Sequence, residues 1–215
     1  MPAFHTFLFD LDGTLVDHFA AIHRSHSHAM TQLGLPAPTL AQVRAVVGGG
    51  LENAISRLAG PALVARALPI YREYWDRTML EDVVLLPGAS ELLSALKQRG
   101  LQSAIFTNKH GPSARLICAH LGIDRLVDGV FGAIDTPWLK PDRRFTDHVL
   151  AELKADARTT LFIGDSPYDI QTAHNAGLPS WCVATGTHTA DELRTAGAEA
   201  VYDSLDEIAA ALALK

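Results

Sequence analysis

The sequence predicts an α/β protein: a parallel sheet with helices on both faces, interrupted by one helical insertion after the first strand. Three observations carry this reading. An apolar, aromatic-rich run from Phe4 to Phe9 stops at Asp10-Leu11-Asp12-Gly13-Thr14, as a buried strand does where it leaves a sheet for a tight turn. From Thr107 onward, short apolar runs alternate regularly with helical ones. Between them, 97 residues separate Asp10 from Thr107, whereas one strand–helix–strand unit takes roughly 30. The surplus is about the size of a small helical domain. The expected bounds are residues 1–15 and 87–215 for the α/β core, and 16–86 for the inserted helical domain.

Taken in order, Leu15 and Val16 continue the exit from the first strand as an extended flap. From about His18 the spacing turns helical, with Phe19, Ile22, Met30 and Leu33 on one face until Gly34 and Pro36 end the helix. Residues 39–46, 51–58 and 61–80 carry further helical patterns, and nothing in this region reads as a strand. Pro87-Gly88 closes the insertion, and residues 91–99 form a helix stopped by Gly100. Residues 102–106 form the next strand, which ends at Thr107-Asn108. Pro112 suits the first turn of a helix reaching about His120. A short strand at 130–134 and a helix at 145–154 follow, then a strand at 160–163 ending at Gly164-Asp165. Pro167 opens another helix, which Gly177 closes, and strands at 181–184 and 200–202 complete the sheet. Thr189 with Glu192, and Ser204 with Glu207, have the spacing of capping boxes for the last two helices.

Composition narrows the function. The chain of 215 residues is 48% hydrophobic and 20% charged, ordinary for a soluble globular protein with a sizeable core. A net charge of −6 with no basic run argues against nucleic acid or an anionic membrane as partner. Cys118 and Cys182 are too few for a disulfide framework, and no signal-peptide pattern opens the chain, so a cytoplasmic location is expected. No apolar run is long enough to span a bilayer.

The polar residues that follow strands are the candidate site. In an open α/β sheet, chemistry lies beyond the carboxyl ends of the strands. Asp10, Thr107-Asn108 and Asp165 directly follow apolar strands, and Lys140 follows another after a short loop. Two carboxylates as close as Asp10 and Asp12 repel unless a cation, proton or donor intervenes. The acids suit Mg²⁺, which prefers oxygen ligands. The lysine, hydroxyl and amide suit phosphate oxygens. Taken singly, each has a structural reading: Thr107-Asn108 as a turn start, Lys140 as a surface residue, the acids as a solvated strand end. Their common placement favours a site.

These residues form four motifs in order: Asp10-Leu11-Asp12-Gly13-Thr14, Thr107-Asn108, Lys140-Pro141, and Gly164-Asp165-Ser166-Pro167-Tyr168-Asp169. In this the chain resembles haloacid dehalogenase superfamily hydrolases with a helical cap, and most of all their phosphoglycolate phosphatase-like branch. Val47-Gly48-Gly49-Gly50-Leu51 is similar to a glycine-containing turn of that branch. The resemblance implies a Rossmann-like core with an all-helical cap. It also implies an Mg²⁺-dependent phosphatase that acts on a small phosphorylated metabolite, phosphoglycolate-like or a sugar phosphate. Asp10 would be the nucleophile that forms an aspartyl-phosphate, and Asp12 the acid and then the base. Mg²⁺ would sit on the Asp10 and Asp165 carboxylates and the Asp12 backbone carbonyl. Thr107, the Asn108 amide and Lys140 would hold the phosphoryl group, with Asp169 orienting Lys140 or acting through water. The protein would be a monomer or homodimer.

Two alternatives share this residue set: a phosphosugar mutase of the same superfamily, and a non-enzymatic aspartate phosphoacceptor switch. The large insertion and Asp12 argue against the switch. Asp12 also argues against a haloalkanoic acid dehalogenase, which protonates no alkoxide, and against a phosphonate hydrolase, where alanine is usual. The chain departs from the common K-P-x-P form of the third motif, reading Lys140-Pro141-Asp142-Arg143, which leaves the start of the next helix open. His18, Glu52, Asn53 and Arg143 are the candidate substrate-specificity residues, although Arg143 also reads as a solvated surface arginine. His26 falls among Phe19, Ile22 and Met30 and is expected to be a hydrogen-bonded core histidine.

Overall fold

The computed structural model describes residues 4–214. Its strands are β1 (Thr6–Phe9), β2 (Val16–Asp17), β3 (Val84–Leu85), β4 (Gln102–His110), β5 (Gly129–Ala133), β6 (Thr160–Gly164), β7 (Ser180–Val183) and β8 (Ala200–Tyr202). Its helices are α1 (Phe19–Gln32), α2 (Leu40–Arg44), α3 (Leu51–Ala59), α4 (Val64–Thr78), α5 (Ala89–Gln98), α6 (Gly111–His120), α7 (Arg143–Leu153), α8 (Pro167–Ala176), α9 (Ala190–Thr195) and α10 (Leu205–Ala211).

The six-stranded sheet has the order β5-β4-β1-β6-β7-β8, and every pairing in it is parallel. Counted along the chain within this sheet, that is the doubly wound order 3-2-1-4-5-6. β1 is central, with Phe9 opposite Ile105 on one side and Ile163 on the other, and all four of its residues are buried. Burial on both faces explains why the sequence shows a continuous apolar run there. The period of two sorts the side chains: Phe7 and Phe9 pack under α5, α6 and α10, while Leu8 packs with Phe106 and Phe162 against α7 and α8. The strand order reverses between β1 and β6, so the crevice for a ligand opens beyond their carboxyl ends.

α1 through α4 lie between β1 and the next sheet strand. α1 buries Phe19, Ile22, His26 and Met30 at helical spacing, and α4 answers with Ala67, Tyr71 and Trp75. The sequence shows no strand in this stretch, yet β2 pairs antiparallel with β3 where the stretch leaves and rejoins the core. Two residues per strand are too few to display a period.

β4 also differs from expectation. It runs on through Thr107-Asn108 to His110, with a shift in its register to β5 between Phe106 and His110. α7 begins at Arg143 and not at 145, because the Asp142 carboxylate accepts the Arg144 amide at 2.9 Å and caps it. The Thr189–Glu192 box forms as expected. At α10 only half of the expected box forms: Ser204 accepts the Glu207 amide, while the Glu207 carboxylate takes the Asp203 amide. Among the described residues no helix is long and apolar enough to cross a membrane.

Candidate active site

Asp10 follows the last residue of β1 and Asp165 the last residue of β6, which sets both at the point where the strand order reverses. The turn after Asp10 depends on Gly13, whose φ is +89°. A Cβ there would come within 2.7 Å of Asp165 Oδ2, so a side chain would be both strained and obstructed.

Lys140 comes in on the loop before α7. Its buried ammonium donates to Asp10 Oδ1 at 2.7 Å and to Asp169 Oδ1 at 2.6 Å. Asn108 holds that loop, accepting from the Lys140 amide at 2.7 Å and donating to the Lys140 carbonyl at 2.9 Å. The same Nδ2 donates to the Gly48 carbonyl at 2.9 Å, so the triple-glycine turn of the insertion is tied to the core. Asp169 Oδ2 accepts from Ser166 Oγ at 2.6 Å and from the amides of Ser166 and Asp165. Asp165 in turn accepts from the Thr187 amide at 2.8 Å, Thr187 Oγ1 at 3.0 Å and Thr14 Oγ1 at 3.3 Å.

Asp12 faces a different cation. Lys109 Nζ lies 2.7 Å and 3.0 Å from its two oxygens, and 4.5 Å from the centre of the Trp75 ring. Behind Asp12, His18 is fully buried, with Nε2 2.6 Å from the Met79 carbonyl. A carbonyl only accepts, so Nε2 carries the proton. His18 Nδ1 sits 3.5 Å from Asp12 Oδ1 without a hydrogen bond.

These surroundings separate the two acids. Burial pushes the Asp10 pKa up to about 6, against the pull of Lys140. Burial would also raise Asp12, but the Lys109 ammonium and His18 together outweigh it and hold that carboxyl well below the usual range. Asp165 is raised well above its ordinary value by burial and by the Asp169 and Asp10 charges. Lys140 resists the effect of burial and is held protonated by Asp10 and Asp169.

The site fits a divalent cation. Carboxylate oxygens of Asp10, Asp165 and Asp169 lie within 4.8 Å of one another, all buried. Four buried acids, counting Asp12, face two ammonium groups, Lys109 and Lys140, so with all four ionised two negative charges lack a counter-charge. A hard divalent ion with oxygen preference would supply the missing charge. Asp169 commits one oxygen to Lys140 and the other to Ser166, and Asp165 accepts only from the Thr14 and Thr187 hydroxyls and the Thr187 amide, so Asp10 keeps one oxygen free and Asp165 faces no ammonium group.

Above this floor lies a cavity of about 300 Å³. Asp10, Asp12, Thr107, Asn108 and Lys109 line it from the sheet, and Ile22, His26, Leu51, Ala54, Tyr71 and Trp75 form a helical wall that meets the floor where Lys109 lies over Trp75.

Of the residues singled out in the sequence, Asp10, Asp12, Thr107, Asn108, Lys140, Asp165 and Asp169 converge here. The four specificity candidates do not line the cavity. His18 supports Asp12 from behind. Glu52 and Asn53 are exposed on α3, where Asn53 bonds Tyr168 at 3.3 Å. Arg143 pairs at the surface with Asp147 at 3.4 Å, one turn along its own helix. His26 is buried as expected, but it lines the cavity and its ring makes no hydrogen bond among the described residues.

Sequence reasoning missed Lys109, Tyr71, Trp75 and Thr187. Lys109 was legible in principle: if β4 is extended by one more pair, Thr107 and Lys109 fall on one face. Tyr71 and Trp75 show the i, i+4 spacing of a helix face, which core packing produces equally well.

Residues 7–183 match the family model for haloacid dehalogenase-like hydrolases. The chain is 32% identical over 211 residues to a probable phosphatase, IndB, of Dickeya dadantii (strain 3937), covering 95% of this chain and 91% of that protein. It is 30% identical over 213 residues to a phosphoglycolate phosphatase of Yersinia pestis, covering 96% and 92%. The crystal structure of a predicted phosphoglycolate phosphatase from Haemophilus somnus 129pt superposes with a TM-score of 0.90 at 25% identity, covering 97% of each chain. The chain is an enzyme of the haloacid dehalogenase-like hydrolase family, a phosphatase on the branch that resembles the phosphoglycolate phosphatases.

Proposed function

We propose that this phosphatase is Mg²⁺-dependent and hydrolyses a small phosphorylated metabolite through an aspartyl-phosphate on Asp10. The observation that carries the reading is the pair of acids at one cavity floor, each with its own ammonium group, Lys140 for Asp10 and Lys109 for Asp12. An Asp10 oxygen attacks phosphorus, the ester P–O bond breaks, and the leaving alkoxide takes a proton from Asp12. Water then attacks phosphorus and gives its proton to Asp12, and the bond from phosphorus to Asp10 breaks, releasing inorganic phosphate. Lys109 favours the Asp12 carboxylate, the form needed when water attacks. The first step needs the acid form, so Lys109 has to release Asp12 as substrate enters.

Thr107, the Asn108 backbone and Lys140 would hold the phosphoryl oxygens, and Asp169 would keep Lys140 in place. Mg²⁺, on the Asp10 and Asp165 carboxylates and the Asp12 carbonyl, would neutralise charge on the transferring group. Residues 16–86 would form a cap that opens and closes over the cavity at the β2–β3 ladder. Rapid acid quench during turnover, followed by mass spectrometry of peptides, tests the reading. It predicts a phosphorylated Asp10, and an unmodified Asp10 peptide under conditions of fast turnover refutes it.

A further inference from the structure

The helical wall of the cavity holds polar atoms that the chemistry above does not use. His26 is 1% exposed, and its Nδ1 is fully buried without a hydrogen-bond partner. Among the described residues the Tyr71 hydroxyl and Trp75 Nε1 also make no hydrogen bond. Buried polar groups in native folds are almost always paired, so the unpaired His26 nitrogen needs a cause, and beside it the Tyr71 and Trp75 polar atoms stand open to a ligand.

The three rings form a row. His26 lies 4.7 Å from Tyr71 between centroids, and Tyr71 is stacked on Trp75 at 5.8 Å with 18° between planes. Ile22, Leu51 and Ala54 fill the wall around them. Such a surface offers ring faces and apolar contact, with donors and acceptors at the edges. Burial, with a smaller push from His23, holds the His26 pKa at about 4, so at neutral pH the ring is uncharged and presents one donor and one acceptor.

The cavity's charges also constrain the leaving group. A carboxylate carried into this wall needs a cation or it remains desolvated and unpaired. The buried cations of the site are already engaged, Lys109 by Asp12 and Lys140 by Asp10 and Asp169. Arg72 reaches the cavity from the exposed face of α4, where water screens it. A two-carbon acid would also leave much of a 300 Å³ cavity unfilled.

We propose that the wall of His26, Tyr71 and Trp75 receives the leaving alcohol of an uncharged, ring-bearing polyol, a sugar or a nucleoside, in preference to a small carboxylic acid. The alcohol's ring packs on the aromatic row, and its hydroxyl or amide groups pair with the Tyr71 hydroxyl, Trp75 Nε1 and the edge of the His26 ring that lines the cavity. This rests on the phosphatase reading above and narrows its substrate.

The test compares kcat/KM for ribose 5-phosphate, cytidine 5′-monophosphate and 2-phosphoglycolate, with p-nitrophenyl phosphate as a general phosphatase control. The expected result is at least one ring-bearing ester favoured over phosphoglycolate by about tenfold or more. Which of the two it is tells sugar from nucleoside. Phosphoglycolate turned over as well as, or better than, both overturns the proposal. His26→Phe keeps a ring against Tyr71 without its nitrogens, and Tyr71→Phe removes only a hydroxyl. Each should shrink the preference several-fold, and a ratio unchanged in a variant that melts like wild type counts against that residue. Failure to turn over even p-nitrophenyl phosphate would point to the phosphatase reading instead. Calorimetric titration of the three esters into Asp10→Asn protein then decides the wall's preference without turnover, and tightest binding of phosphoglycolate overturns it.

Discussion

The floor and the wall of the cavity satisfy their polar atoms in opposite ways. On the floor, the Asp10, Asp165, Asp169 and Lys140 side chains each make one to four hydrogen bonds to other protein groups, at 2.6–3.3 Å. On the wall, His26, Tyr71 and Trp75 have none among the described residues. A group held by many bonds is set before substrate arrives, which suits a phosphoryl group that is the same in every ester. A polar atom left without partners waits for one, which suits an alcohol that differs between esters. The contrast comes from where each part is built. The floor sits on the carboxyl ends of central strands fixed by parallel neighbours on both sides, and the wall sits on helices α1, α3 and α4 outside the sheet.

The largest effect should come from the floor. Asp10→Asn removes the nucleophile, and its turnover should fall at least roughly hundredfold for every ester, since losing even one auxiliary donor costs 10²–10³. Residual activity above that level, in protein that melts like wild type, would break the assignment. Lys140→Ala should come next. It leaves Asp10 and Asp169 buried with no counter-charge, and chemical denaturation should register a loss of about 3–5 kcal/mol. Tyr71→Phe, which deletes an unpaired hydroxyl, should change stability far less. Comparable losses in the two variants would erase the distinction between floor and wall.

The charge imbalance makes a further prediction, read without activity. Mg²⁺ at 100 times its dissociation constant should stabilise the wild type by about 2.7 kcal/mol, seen as a rise in Tm. Asp165→Asn should abolish that rise. Without metal it should be at least as stable as wild type, because burial and its neighbours already disfavour the Asp165 charge. A Tm rise that survives in this variant would move the ion elsewhere.

Much of the floor was legible in the sequence, and the wall was not, for the same reason. Asp10 and Asp165 follow apolar strands whose length and termination are local signals, so topology alone brings them together. Lys140 could be placed at the same sheet end, although its two carboxylate partners lie 130 and 29 residues away. Wall residues carry no such marker. On an amphipathic helix, a residue facing a cavity and a residue facing a core repeat with the same period, so His26 read as core and the exposed Glu52 and Asn53 read as contacts. Lys109 was hidden by a boundary error: with β4 ended at Asn108 its direction is undefined, and with β4 running to His110 it shares a face with Thr107.

The wall also carries a pH effect. His26 is buried neutral, with a folded pKa of about 4 against an ordinary value of 6.5. The unfolded chain therefore binds a proton at His26 between those values and the native state does not. The stability contributed is complete above pH 6.5 and is lost as pH falls towards 4, at about 1.4 kcal/mol per pH unit at most. The difference in unfolding free energy between wild type and His26→Phe should show this slope over that window and be flat above it. A flat difference throughout would mean that His26 is not held neutral.

The division between floor and wall is tested most directly by how two substitutions act on two esters. Thr107→Val alters the floor and Tyr71→Phe the wall, and each is nearly isosteric. The measurement is the kcat/KM ratio between the preferred ring-bearing ester and p-nitrophenyl phosphate. Thr107→Val should lower both rates by a common factor and leave the ratio at its wild-type value, while Tyr71→Phe should lower the ratio several-fold. A Thr107→Val loss confined to one ester, or a Tyr71→Phe loss equal for both, would contradict the account.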